Sequence, residues 1–347
     1  MQLEFTREEL LSEHEYARPN VINGTRMHGG FDKSGTYIPP RSLGRSVAIE
    51  NWTDALRKRG GDLLEADSSL LSGPRLPNVE QQRLLIREGM SRVFWNGLTI
   101  TGKIEGRGRM LATMPMPPLQ TCIVENISEM ALGHLHKGLL FAHGIDEGGE
   151  PEKDIGGHDV MWFVARDLSL GESAWPDVDP PASISRPDSG DRKMPQIAPE
   201  IEGFLAFLMN LLLIEFRAEI GFAATQETLR TRGLFAEREE RANLAAEIVE
   251  RIRTDEKIHV ESLRLYLGEL RTLHLKSVDR GEVLGSELID PYWSNLVGWA
   301  TGDQPIIAAR QTYAAIVELI KELPEHERVQ SEFERLMDAG ILEHQAA

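Results

Sequence analysis

One cysteine, Cys122, stands among 347 residues, so no intramolecular disulfide can staple this chain. Basic residues are also scarce: 38 Lys plus Arg face 55 Asp plus Glu, a formal charge of −17. Without a clustered basic patch, that balance excludes a protein that binds nucleic acid by tracking phosphates. Long apolar runs are missing as well. The greasiest stretch, Phe204 to Ile214, contains Asn210 and meets Glu215 at once, so it reads as a buried helix rather than a membrane span. No apolar leader precedes a cleavage site, and a cytoplasmic protein is expected. Sustained strand alternation, repeats of solenoid length and low-complexity linkers are absent too.

What is present is helical periodicity. Residues 1–76 read as an irregular arm, punctuated by Asn23-Gly24, Gly29-Gly30 and Pro39-Pro40, with one short helix near Ile49 to Gly60. From there to the C-terminus a single helical domain, 77–347, is expected. Asn78 can cap a first helix over about 78–104, and a second pattern covers 119–142. Residues 144 to 197 form a long crossover with room for one short element, the apolar run Val160 to Ala165. Two further helices are expected over 199–231 and 236–275, broken at Arg232-Gly233, with shorter ones beyond Pro291. Two long helices, a crossover and two more long helices are the order of an all-α four-helix bundle with one crossover connection.

The chemistry concentrates in the second half. Glu256 and His259 of Asp255-Glu256-Lys257-Ile258-His259 lie one turn apart on one helical face, where carboxylate and imidazole can share a cation. Glu219, on the preceding helix, falls level with Asp255 if the two helices form an antiparallel pair. A carboxylate buried there is costly unless it is paired or binds a metal.

With these residues, 215–260 resemble the metal-binding half of a ferritin-like diiron-carboxylate protein, most of all the p-aminobenzoate N-oxygenase type, in which a lone Glu precedes Asp-Glu-x-x-His by a similar interval. The resemblance implies Glu219 and His259 as terminal metal ligands, Glu256 as a bridging ligand, and Asp255 as an acceptor that fixes a histidine tautomer. It also implies a ferritin-like bundle holding two iron ions, with manganese as the alternative metal.

The first half holds no second Glu-x-x-His, since the residues three before His134, His136, His143 and His158 are Ala131, Gly133, Leu140 and Ile155. Its candidates are Glu88 on the first helix, and Glu125, Glu129, His134 and His136 on the second. Glu129 and His136 share a face but stand two turns apart, about 10 Å along the axis. A π-bulge, tolerated at Gly133, would instead bring His134 to Glu129. His158-Asp159 is a reserve pair. Arg217 reads as an internal ion-pair partner, Tyr266 as packing, and Gly102, Gly106 and Gly108 lack the spacing of a phosphate loop. The segment Arg26 to Asp32, with Tyr37 and Arg41, is dense for a loop and suits a lid or a subunit clasp.

The function expected is a non-haem diiron oxidoreductase that activates dioxygen and oxidises a small organic substrate, using an electron donor, without nucleic acid or membrane partners and with a homodimer open. The alternatives are a metal-binding ferritin-like protein without an organic substrate, and a helical scaffold without metal.

Overall fold

A computed structural model describes residues 1–72, 75–187 and 190–337. The arm is more regular than its punctuation predicts. After a short α1 (Arg7–Leu10) come β1 (Arg18–Ile22), β2 (Thr25–Phe31) and β3 (Tyr37–Ile38), which form one antiparallel sheet in that order. Asn23 and Gly24 both take positive φ between β1 and β2, the backbone that a two-residue hairpin requires. A full helix, α2 (Ser42–Lys58), follows in place of the shorter one expected. It lies against the long ninth helix, and Trp52 is completely buried there with its indole N–H on the Leu3 carbonyl.

The first expected helix is two. Asn78 does cap α3 (Val79–Arg87), in a capping box with Gln81, but the left-handed Gly89 (φ 81°) stops it. The chain restarts as α4 (Ser91–Gly108). The second expected helix is mostly absent. Only α5 (Leu119–Cys122) forms at its start, because Ile123 turns extended and bridges Leu275 while Val124 N donates to the His274 carbonyl. A 3-10 turn over 131–134 and a π turn over 135–139, containing Gly138 at φ 143°, lead into α6 (Leu140–Gly148). The π feature therefore falls after Gly133 and His134 rather than between Glu129 and His134. The crossover, expected to hold one short element, carries a complete helix, α7 (His158–Leu170).

Two long helices follow within a few residues of expectation. α8 (Pro199–Leu229) begins with Pro199 at its first turn and Glu200 and Glu202 complementing the helix dipole. α9 (Glu239–Arg271) begins on two glutamates and ends on an arginine. A small hairpin, β4 (His274–Lys276) with β5 (Glu282–Leu284), precedes α10 (Gly285–Thr301), α11 (Asp303–Ile320) and α12 (His326–Arg335).

The molecule is mostly helical. α8 and α9 pair antiparallel, α7 packs on α9 and α4, and α6 packs on α4 and α7. Glycines make the closest approach possible: a Cβ on Gly102 would stand 2.7 Å from the Phe163 ring and one on Gly108 2.5 Å from the Glu147 side chain. Leucines of α8 and α9 share one core with α2 and the arm, while Phe94, Trp162, Phe222 and Val249 form a second beyond the polar centre. Among the described residues no helix is long and apolar enough to cross a membrane.

Candidate metal centre

Between the two cores lies a buried polar cluster fed by α4, α6, α7, α8 and α9. Its middle is Glu147 Oε1, which has three imidazole nitrogens around it: His259 Nδ1 at 3.1 Å, His158 Nδ1 at 3.5 Å and His143 Nε2 at 3.6 Å. Glu256 lies 2.9 Å from His259 Nδ1 and 3.1 Å from His158 Nδ1. Glu215 Oε1 stands 3.0 Å from His143 Nε2, and Glu105 reaches to 3.6 Å from His158 Nδ1. The rings of His143 and His259 stack 3.8 Å apart.

Helical spacing explains the convergence. His143 and Glu147 are four apart on α6, Glu256 and His259 three apart on α9, so each pair shares a face. His158 opens α7, aimed inward by the turn at Gly156-Gly157, where a Cβ on Gly157 would collide with the Gly149 amide.

Two histidines have their outer nitrogens engaged. His259 Nε2 faces Asp146 Oδ2 at 3.1 Å, and Asp146 also accepts from Arg45 (2.7 Å) and from Arg41. His158 Nε2 faces Asp255 Oδ2 at 3.3 Å, which also meets His28 Nε2 (3.1 Å) and the Tyr37 hydroxyl (2.9 Å). Outward contacts through Nε2 turn both Nδ1 atoms into the cluster, the orientation that a metal ligand needs, with the Nδ1 proton given up to the carboxylates or solvent when a cation binds.

The electrostatics describe a site short of positive charge. Burial, then the neighbouring Glu147, pushes the Glu105 carboxyl well above its ordinary range, and burial with Glu256 does the same to Glu215. Burial opposes ionisation of Glu147 and Glu256 too, yet His158 and His259 hold Glu147 well below its ordinary value and Glu256 at about 2. Those two imidazoles are held protonated by the carboxylates in spite of burial, while burial and His259 lower His143 to about 3. Glu147 Oε1, Glu256 Oε1 and His158 Nδ1 are buried without a well-aligned hydrogen bond. Orphaned atoms at the meeting point of four carboxylates and three imidazoles fit a cation. His143, Glu147, Glu215 and His259 form one group that could hold an ion, and Glu147, His158, Glu256 and His259 a second that shares two of its residues.

Of the residues singled out from sequence, Glu256 and His259 lie in the cluster and Asp255 behind it, as does the reserve His158. Glu219 does not: it stands level with Arg253 and pairs with it at the half-exposed face of α8, and Glu215, one turn earlier, points inward instead. Glu88 ends α3 and pairs with Arg328 of α12. Glu129 and His136 are exposed, because the irregular backbone before α6 turns them outward. His134 is buried but structural: its Nδ1 lies 2.7 Å from the Met130 carbonyl, and its Nε2 accepts from Phe5 N at 3.0 Å. Glu125 is engaged with His274 at the surface.

Sequence reasoning missed Glu105, His143, Glu147 and Glu215. Signals existed for three of them: the i, i+4 spacing of His143 and Glu147, and the glycines that flank Glu105 and admit α7 beside it. Compared with known proteins, the chain matches no family model, no curated protein and no solved structure.

Proposed function

We propose that this chain is a dioxygen-activating diiron oxidoreductase of ferritin-like architecture, acting on a small organic molecule. The convergence of three imidazole nitrogens on the orphaned Glu147 Oε1 carries this reading. Four carboxylates, Glu105, Glu147, Glu215 and Glu256, would balance the charge of two divalent cations, and Glu147 and His259 belong to both groups that could hold one. Carboxylates and imidazoles accept iron and manganese alike, and redox-active metal there would supply the electrons for dioxygen chemistry.

The chain's own residues would do the rest. Asp146 and Asp255 hold the tautomers of His259 and His158, and Arg41 and Arg45 keep Asp146 ionised. Trp162 and Phe222 keep bulk water from one side of the cluster, their rings 4.9 Å apart. Glu105 also lines an open cleft, between α4 and α8. A molecule in that cleft would lie against the cluster, which favours an oxidase or oxygenase over metal storage or redox buffering.

Metal analysis of the purified protein, followed by anaerobic ferrous titration and exposure to air, tests the proposal. About two irons per chain, dioxygen consumption and a new visible absorption are expected. A protein that takes up no iron from the titration would end the case.

A further inference from the structure

A separate cavity of about 440 Å³ opens between α4 and α11, with apolar walls that include Val93, Phe94, Leu98, Ile316 and Leu319. Gly97 lines it from inside α4, where a glycine weakens the helix relative to alanine. Packing does not require that glycine. A Cβ built on it would have nothing within 4 Å, in contrast to Gly102 further along the same helix, which the Phe163 ring closes against. The missing side chain keeps the cavity open instead of admitting a neighbouring helix.

The polar groups of this cavity lack protein partners. Thr225 of α8 lines it and is only 7% exposed, yet its hydroxyl makes no hydrogen bond among the described residues. Thr228, one turn on, shows the usual solution, donating to the Ala224 carbonyl at 2.8 Å. The Asn96 amide also lines the cavity without a hydrogen bond to the described residues, its Oδ1 shut off from water. Buried polar groups left in this way cost stability until something satisfies them. Charge is nearly absent: no acidic residue lines the cavity among the described residues, and the one cation, Arg75, is engaged within the protein and also lines the cleft at the cluster.

We infer that this cavity is a second small-molecule site, distinct from the cleft at the metal cluster, and that it takes a neutral amphiphile. The apolar body lies over Gly97 against Phe94, Leu98 and Ile316, and a hydroxyl or amide head hydrogen-bonds with the Thr225 hydroxyl. Such a head donates and accepts, as the threonine does. An ammonium would find no acidic partner, and a carboxylate would compete for a guanidinium already engaged, so either ion would lose its hydration without an equal return. The inference does not rest on the metal reading, and it holds whether or not the cluster contains iron.

Calorimetric titration of the full chain with thymol, before and after chelation, tests it, with cymene, cuminate and cuminylamine ranked by displacement of thymol. Thymol should saturate one site equally in both preparations, and cymene, which is thymol without its hydroxyl, should bind about fivefold more weakly, as should the two ions. Thr225→Val should bring thymol down to the affinity of cymene and leave cymene unchanged. Gly97→Ala should raise the thermal midpoint and still bind thymol. Gly97→Leu, whose side chain fills the cavity, should fold as well and weaken thymol at least about tenfold. G97L should also take up iron as the wild type does, so that failure of this site and failure of the metal reading remain distinguishable. No thymol binding, cymene or an ion that binds as tightly as thymol, or undiminished thymol binding by G97L would overturn the inference.

Discussion

His259 Nε2 lies 3.1 Å from Asp146 Oδ2, and Asp146 is itself clasped by Arg41 and Arg45 from the N-terminal arm. The arm therefore acts on the cluster through one carboxylate, which sets the direction in which the His259 lone pair points. Asp146→Asn would remove the charge that holds this tautomer and leave two buried arginines short of a counterion. Metal affinity should fall by roughly 10–100-fold, and the metal-free protein should lose about 3–5 kcal/mol of stability. Iron titration and urea unfolding of the same variant read the two effects separately, and unchanged affinity would show that Asp146 serves packing alone.

The two glutamates one turn apart on α8 make an internal contrast. Glu215→Gln should lower bound iron as strongly as Glu147→Gln does, because both carboxylates face the His143 imidazole. Glu219→Gln should keep full metal content and change stability by no more than about 1 kcal/mol, since its partner Arg253 sits at a partly solvated face. Metal analysis of the three variants side by side decides between them; an E219Q protein that loses its iron would put the site elsewhere.

How far this centre could be read beforehand depends on how local each signal is. Glu256 and His259 share one turn of one long helix, so their spacing exposes them, and α8 and α9 are regular enough to place within a few residues. Choosing between Glu215 and Glu219 needed the register of the α8–α9 pair, and a shift of one turn exchanges a cluster residue for a surface ion pair. His143 and Glu147 were hidden by the broken backbone before them. A periodicity carried across the 3-10 and π turns puts the wrong side chains inward, and so favoured Glu129, His134 and His136. Glu105 lies among glycines that resemble a loop but act as a packing seam. His28 meets Asp255 from 227 residues away in sequence, and no local pattern announces such a contact.

Cation binding should also appear as stability. Four buried carboxylates, two of them pushed toward the neutral form, oppose folding until a cation arrives, so ferrous or manganous ions should raise the thermal midpoint and a chelator should lower it. At a hundredfold excess over the dissociation constant, linkage gives about 2.7 kcal/mol per site. In Glu256→Ala/His259→Ala the metal-dependent shift should vanish. A shift of equal size in that variant would mean that the ions bind outside the cluster.

Glu269 gives a pH prediction away from the metal residues. Near the end of α9 its carboxylate accepts from Leu132 N at 3.0 Å and Ala131 N at 3.2 Å, and Arg59 is 3.7 Å away. Burial outweighs these contacts and raises the group from 4.5 to about 7. A carboxyl that holds its proton more tightly in the folded state favours folding most below the unfolded value. That contribution is lost as pH rises from about 4.5 through about 7. Glu269→Gln cannot ionise, so the difference in urea midpoint between wild type and variant should change across this window and level off above it. The wild type should lose stability relative to the variant as pH rises. Because other groups titrate in both proteins alike, the difference isolates Glu269, and two profiles that run parallel from pH 4.5 to 8 would show its carboxyl ionised throughout.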